Sequence, residues 1–150
     1  MSILTSATVR AMTSTAAITG IHHISVTVRD VEASAAWYVQ VFEMTRLPIT
    51  FEHHDCEDTG YAVLLIHPSG LVLGLHHNTG NDGVEFDERR TGLDHFGFAV
   101  ADRGQLDAWV AKLDELGIEH SGIRDLTAPI PFSTLVFRDP DNIQLELYSG

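Results

Sequence analysis

Apolar residues recur at every second position in several short runs, which is the alternation of β-strands that bury one face. The two clearest runs are IHHISVTVRD at 21–30 and LDHFGFAVAD at 93–102. Three further strands are predicted after each run, at 47–52, 61–67 and 71–77, then at 120–124, 133–138 and 143–148. Helical spacing of apolar residues appears at 31–44 and 103–118, directly after Asp30 and Asp102, which are suitable N-cap residues.

The order of strand, helix and three strands occurs twice. His95 lies 72 positions after His23, and Pro140 lies 72 positions after Pro68. One shift shared by two separate segments indicates a tandem duplication. We therefore predict an α+β fold of two βαβββ modules, at about 21–78 and 93–149, joined by a linker at 79–92. Residues 1–19 lack an apolar stretch of signal-peptide length and are expected to form a flexible tail.

Strand alternation also predicts which side chains share a face. In the first strand of each module the apolar residues are expected to face the helix, which leaves His23 and His95 on the opposite side. In the last strand Leu145 and Leu147 face the helix, so Glu146 joins the two histidines. Taken alone, a strand histidine is more often a hydrogen-bonded structural residue. Two imidazoles and one carboxylate on an open face, however, are typical of a divalent metal site with vacant positions.

The two openings IHHISVTVRD and LDHFGFAVAD, with the closing FRDPDNIQLELY, resemble the vicinal oxygen chelate superfamily. This superfamily includes glyoxalase I, extradiol dioxygenases, fosfomycin-resistance enzymes, epimerases and bleomycin-binding proteins. The resemblance covers residues 21–149 and implies two sheets that form a cupped, partly open barrel. It implies one divalent metal ion, with ligands that fall on His23, His95 and Glu146. The neighbouring His22 has the alternation of Ile24 and is expected on the helix side.

The repeat pairs Glu146 with Gly74, where the four-ligand pattern of glyoxalase I and the epimerases has a further ligand. The resemblance then implies a three-ligand site, as in extradiol dioxygenases and fosfomycin-resistance enzymes. We expect an enzyme that chelates a small molecule with vicinal oxygens, most nearly dioxygenase-like. Fe(II) is favoured as the metal, and Mn(II), Zn(II), Co(II) or Ni(II) also suits these ligands.

Two alternatives remain open. One is a lyase or isomerase of the glyoxalase or epimerase type, and the other is a metal-free protein that binds a planar ligand as bleomycin resistance proteins do. The resemblance also implies a homodimer, in which the two modules of one site belong to one chain or are exchanged between two.

Several other side chains are candidates for chemistry near the cup. His76, on the predicted face of Gly74, is the first candidate for a general acid or base, and Tyr148 is the second. The HHD cluster at 53–55 is expected to be an exposed loop beside the cup. The segment 125–131 contains two prolines and is expected to form a stiff loop at the entrance.

Charge and composition exclude some partners. The formal net charge of −12, with 21 acidic residues against nine Lys and Arg, disfavours nucleic acid and anionic membranes. No apolar run reaches the length of a membrane helix. The single cysteine, Cys56, permits no intrachain disulfide, which agrees with a cytoplasmic location. Most of the scattered arginines, Arg124 among them, are expected to be solvated surface charges.

Overall fold

The computed structural model describes residues 17–53 and 58–150 and contains the predicted βαβββ order twice. The first module comprises β1 (Ile24–Thr27), α1 (Val31–Phe42), β2 (Thr45–Glu52), β3 (Gly60–Ile66) and β4 (Val72–Asn78). The second comprises β5 (His95–Ala99), α2 (Arg103–Leu116), β6 (His120–Leu126), β7 (Phe132–Arg138) and β8 (Gln144–Ser149). Most of the predicted tail, at 1–16, and His54, Asp55 and Cys56 lie outside the described residues.

Both helices begin at the predicted caps. The Asp30 carboxylate accepts hydrogen bonds from two first-turn backbone N–H groups, and the Asp102 carboxylate accepts one. Each helix ends two residues earlier than predicted, because Glu43 (φ 56°) and Gly117 (φ 67°) adopt left-handed backbone conformations. Within the described ranges, neither helix has the length and apolar character needed to cross a membrane.

Each module forms one four-stranded sheet, in the order β1-β4-β3-β2 or β5-β8-β7-β6. The edge strands β1 and β5 run parallel to β4 and β8, and the other pairs are antiparallel. Two parallel strands can be joined only by a long crossover connection. Here the connection from β1 to β4, or from β5 to β8, is the rest of the module, and it includes the helix that covers one face of the sheet. The two sheets are not closed into a barrel, which confirms the cupped, partly open architecture implied by the resemblance.

The alternation of buried and exposed residues follows the predicted faces. Val26 in β1, Phe96 in β5 and both leucines beside Glu146 are buried in the common core. By contrast Gly97 and Ala99, on the opposite face of β5, are exposed. One face of each sheet therefore packs under the helices, and the other is left open.

The modules of one chain are joined on the helix side. The Phe42 ring of α1 lies 4.9 Å from the Phe98 ring and 5.4 Å from the Trp109 ring, measured between centroids. Beside this aromatic cluster, Asp139 and Asp141 are buried in the turn between β7 and β8. The modules thus share a core through their helices and leave both open faces outside it.

The turn at 139–142 holds β1, α1 and the linker together. Asp141 accepts hydrogen bonds from the Arg29 backbone N–H and the Ser34 hydroxyl, both at 2.9 Å. Asp139 accepts one from the Tyr38 hydroxyl at 2.8 Å. The linker is anchored here as well, because the Phe86 N–H donates to the Asp141 carbonyl at 2.9 Å.

Candidate metal centre

His95 and Glu146 lie together at the edge of the second sheet. His95 begins β5, and Glu146 stands opposite Gly97 in the adjacent strand β8. The His95 Nε2 atom is 4.0 Å from the Glu146 Oε1 atom, too far for a direct hydrogen bond. Two donors that bind one ion at about 2.0–2.2 Å are at most about 4.4 Å apart. The observed spacing therefore fits a pair of ligands to one metal ion.

Asp94 fixes the orientation of the His95 ring. Its Oδ1 atom lies 2.5 Å from the His95 Nδ1 atom, which leaves Nε2 as the nitrogen that faces Glu146. A carboxylate on the distal nitrogen is the usual partner of a metal-bound imidazole, because it fixes the tautomer and raises the basicity of the ligand. The sequence interpretation missed Asp94, although its position directly before His95 was the available signal.

Space for a ligand exists above this pair. A Cβ atom added at Gly97 would meet no atom within 4 Å. The side chains of His95 and Glu146 are 38% and 24% exposed, so both donors are accessible from the open face.

His23 lies on the other module. It precedes β1 and lines a depression together with Ser25, Thr27, His53 and His76. No three His, Cys, Asp or Glu side chains form a group that could hold a metal within residues 17–53 and 58–150. The structure thus brings together two of the three predicted ligands within a chain, and it places the third on the other open face.

His22 does not follow the strand alternation, because β1 begins only at Ile24. It is exposed, and its Nδ1 atom lies 2.9 Å from the Nδ1 atom of His23. The repeat pairs His22 with Asp94, so in each module the residue before the candidate ligand contacts the ring of that ligand.

The two candidate catalytic residues lie on different open faces. His76 stands between Thr27 and Ala62 in the first sheet, with its ring 5.1 Å from the His53 ring. Tyr148 follows Glu146 on the same face of the second sheet, and it stacks on Phe132 at 5.4 Å. His76 therefore accompanies His23, whereas Tyr148 accompanies Glu146.

Gly74 occupies a position without room for a side chain. A Cβ atom there would lie 2.5 Å from the Ser25 Oγ atom and 3.4 Å from the His76 Nε2 atom. The two modules therefore differ in a complementary way, because Gly97 leaves space beside Glu146, while Ser25 fills the space beside Gly74.

Residues 20–147 match the family model described as Glyoxalase/Bleomycin resistance protein/Dioxygenase superfamily. The chain belongs to this superfamily. The match covers both modules and the linker, which confirms the resemblance inferred from the two openings and the closing turn.

Three known proteins are similar to this chain. The chain is 33% identical to the uncharacterized protein YwkD of Bacillus subtilis over 129 residues, 85% of this chain and 94% of YwkD. It is 26% identical to the metallothiol transferase FosB of Shouchella clausii, over 89% of this chain and 82% of FosB. It superposes on the fosfomycin resistance protein FosX of Listeria monocytogenes with a TM-score of 0.66 at 19% identity, over 89% of this chain and 94% of FosX. This FosX structure is that of a mutant complexed with Mn(II) and 1S,2S-dihydroxypropylphosphonic acid.

Proposed function

We propose that the chain is a metal-dependent enzyme that acts on a small molecule carrying two adjacent oxygens. The observation that carries this proposal is the pairing of His95 Nε2 with Glu146 Oε1 at 4.0 Å, with the far side of the imidazole held by Asp94. A carboxylate-anchored imidazole beside a second carboxylate, on an accessible face, is the arrangement expected of a metal site.

The third ligand in this proposal is His23 of a second copy of the chain. The helix-side packing of the two modules turns their open faces away from the shared core, so a site that uses both faces needs two chains. Both faces carry exposed apolar side chains that favour burial, namely Ile49 and Phe51 on the first module and Leu126 and Ile130 near the second. A homodimer that places these faces opposite each other would supply the remaining imidazole.

Imidazole and carboxylate ligands without thiolate suit Fe(II), Mn(II), Zn(II), Co(II) or Ni(II). Fe(II) is the favoured ion, and the likeness to FosX adds weight to Mn(II). Such an ion would act as a Lewis acid on two adjacent substrate oxygens. With three protein ligands and a glycine at position 74, coordination positions remain for a chelating substrate.

The chain's own residues would orient the substrate and move protons. His76, from the face that carries His23, is the proposed general acid or base, because imidazole titrates near neutral pH. Tyr148 lies two residues after Glu146 and is 37% exposed, so its hydroxyl is the proposed second proton donor.

Two reaction classes follow from this site. Open coordination with Fe(II) favours a dioxygenation, in which both oxygen atoms of O₂ enter an electron-rich substrate. The likeness to a metallothiol transferase favours the addition of a thiol to a small molecule held at the metal.

An anaerobic metal series distinguishes these classes. The protein, prepared without a histidine tag, would be reconstituted with Fe(II), Mn(II) or Zn(II) in the absence of oxygen. It would then be assayed in aerated buffer for oxygen uptake with catechols, and separately for thiol consumption with epoxides. We expect one equivalent of metal per chain, with turnover in one of the two assays.

His67→Ala is the matched control for His95→Ala in this series. His67 is a histidine that contacts Ser69 in the turn between β3 and β4, and it is not one of the proposed ligands. The His95 variant should lose the metal, while the His67 variant retains it. Absence of metal binding by the unmodified protein would contradict the proposal and favour the metal-free binding protein.

A further inference from the structure

Almost every cation in the described residues has an acidic partner. Of the nine Lys and Arg, Arg10 lies outside these residues. Seven of the other eight form ion pairs, namely Arg29, Arg46, Arg89, Arg90, Arg103, Lys112 and Arg138. Within 17–53 and 58–150, Arg124 has no such partner, although the chain carries 21 acidic residues.

The strand register places Arg124 on the face of Glu146. Arg124 in β6 is opposite Thr134 in β7, and Thr134 is opposite Tyr148 in β8. Directly opposed residues share a face, and residues two apart in a strand do so as well. Arg124 therefore lies two strands across and two residues along from Glu146, a Cα separation of about 12 Å.

The acidic residue next to Arg124 in the sequence forms its hydrogen bonds with other residues. The Asp125 carboxylate, next in sequence, accepts hydrogen bonds from Arg103 Nε at 2.8 Å and from Ser133 Oγ at 2.5 Å. The other arginine on this face, Arg138, forms two hydrogen bonds with Glu88. Arg124 is thus an uncompensated positive charge on the open face, while Arg138 is neutralised.

The surface between Arg124 and Glu146 is neutral and partly aromatic. Thr134 is buried there, and the stacked rings of Phe132 and Tyr148 lie beside it. A flat organic molecule chelated at the metal would lie along this surface, with its other end near the Arg124 guanidinium.

The geometry points to Arg124 as the residue that selects an organic carboxylate as substrate. This inference rests on the proposed function, since the vicinal oxygens of that substrate are the ones chelated beside His95 and Glu146. A guanidinium fork matches a carboxylate with two parallel hydrogen bonds. A doubly charged phosphonate would call for a second free cation, which Arg138 does not provide.

Matched probes test this assignment by binding instead of turnover. Protein loaded with Mn(II) would be titrated calorimetrically, without oxygen, with catechol, 3,4-dihydroxybenzoate and 3,4-dihydroxyphenylphosphonate, which share the same vicinal oxygens. We expect the carboxylate to bind about tenfold to a hundredfold more tightly than catechol, the range of a charge-assisted pair. In Arg124→Gln this preference should disappear while the Kd of catechol is unchanged, and Arg124→Lys should keep part of it.

Arg46→Gln is the control, because it removes an arginine whose partner is Glu32 on the first module. It should retain the full preference for the carboxylate. If catechol binds and the carboxylate binds no better, or if Arg124→Gln keeps the preference, the role of Arg124 is refuted while the metal site stands. A phosphonate bound more tightly than the carboxylate would overturn the choice of anion. If the protein binds no Mn(II), or if none of the three probes binds the Mn(II)-loaded protein, the proposed function is refuted, and this inference falls with it.

Discussion

At the scale of single residues, the candidate site depends on how one imidazole is held. His95 is anchored on its Nδ1 atom by Asp94 and presents Nε2 to Glu146. The Asp94 side chain is 71% exposed, so its contact with His95 contributes little to folding and mainly fixes the ring.

Asp94→Asn should therefore weaken metal binding without unfolding the protein. We expect the affinity for Mn(II) or Zn(II) to fall about tenfold to a hundredfold, the usual effect of removing an outer-sphere partner. Competition with a chelating dye measures this change. Glu115→Gln, which removes an exposed carboxylate from α2, is the control and should leave affinity unchanged. Equal affinities for the Asp94 variant and the unmodified protein would show that this carboxylate does not act on the ligand.

Much of the site could be predicted residue by residue, because alternation in a strand depends only on local backbone geometry. The prediction that Glu146 and His95 share the open face follows from this rule. The rule also predicted that His23 shares the face of Ser25 and Thr27, whereas His22, which lies before β1, contacts His23 and does not follow the alternation. The rule gives no information on Asp94, whose contact with His95 depends on side-chain rotation.

At the scale of elements, the turn at 139–142 forms a buried polar connection between the modules. Asp141 is 4% exposed and accepts hydrogen bonds from Arg29 and Ser34 of the other module. An acceptor removed from such a place leaves several donors without partners, a loss that apolar packing does not replace.

Asp141→Ala should consequently destabilise the fold by about 2–4 kcal/mol. Asp125→Ala is the matched control, because Asp125 also binds an arginine Nε atom, at 2.8 Å, but its side chain is 60% exposed. Its loss should change stability by about 1 kcal/mol or less. Urea denaturation of the metal-free proteins measures both values. Similar values for the two variants would mean that the buried turn does not join the modules energetically.

Asp139 in the same turn makes stability depend on pH. Burial raises the pKa of its carboxyl above the ordinary value, although the hydrogen bond from Tyr38 opposes the shift. The folded state therefore holds this proton more tightly than the unfolded state, and stability from Asp139 is lost as pH rises through the folded pKa.

Asp139→Asn removes this titration and keeps an oxygen acceptor for the backbone N–H groups of Asp141 and Ile143. As the pH rises from about 4 to about 7, the free energy of unfolding of the original protein should therefore fall relative to that of the variant. Urea denaturation at several pH values measures this difference. A difference that is constant, or that shifts the other way, would contradict a raised pKa at Asp139.

Element order and type were largely predictable, because both modules carry strong alternation and clear N-cap residues. The residues at which the helices end were less predictable. Gly117 is a recognisable stop signal, whereas the left-handed conformation of Glu43 has no equivalent signal in its side chain. The strand β6 also continues past its predicted end at Arg124 to Leu126. That extension is what pairs Leu126 with Phe132 beside the open face.

At the scale of the whole molecule, the repeat predicts two equivalent modules but does not predict how they meet. Strand periodicity assigns each side chain to a face, and the meeting of faces depends on contacts between distant segments. In this chain those contacts are the aromatic cluster around Phe42 and the turn at 139–142. They join the modules on the helix side and separate His23 from the pair formed by His95 and Glu146.

The central claim is that two copies of the chain complete each metal site. Mixing two inactive variants tests it most directly. His23→Ala and Glu146→Ala would each be purified, then refolded together, and bound Mn(II) or Zn(II) would be measured after dialysis. Each variant alone should bind no stoichiometric metal.

In a dimer that contains one copy of each variant, one site carries both defects and the other is intact. Random reassortment should therefore restore about a quarter of the metal content of the unmodified protein. Retention of metal by either variant alone, or no recovery after mixing, would contradict a site shared between two chains.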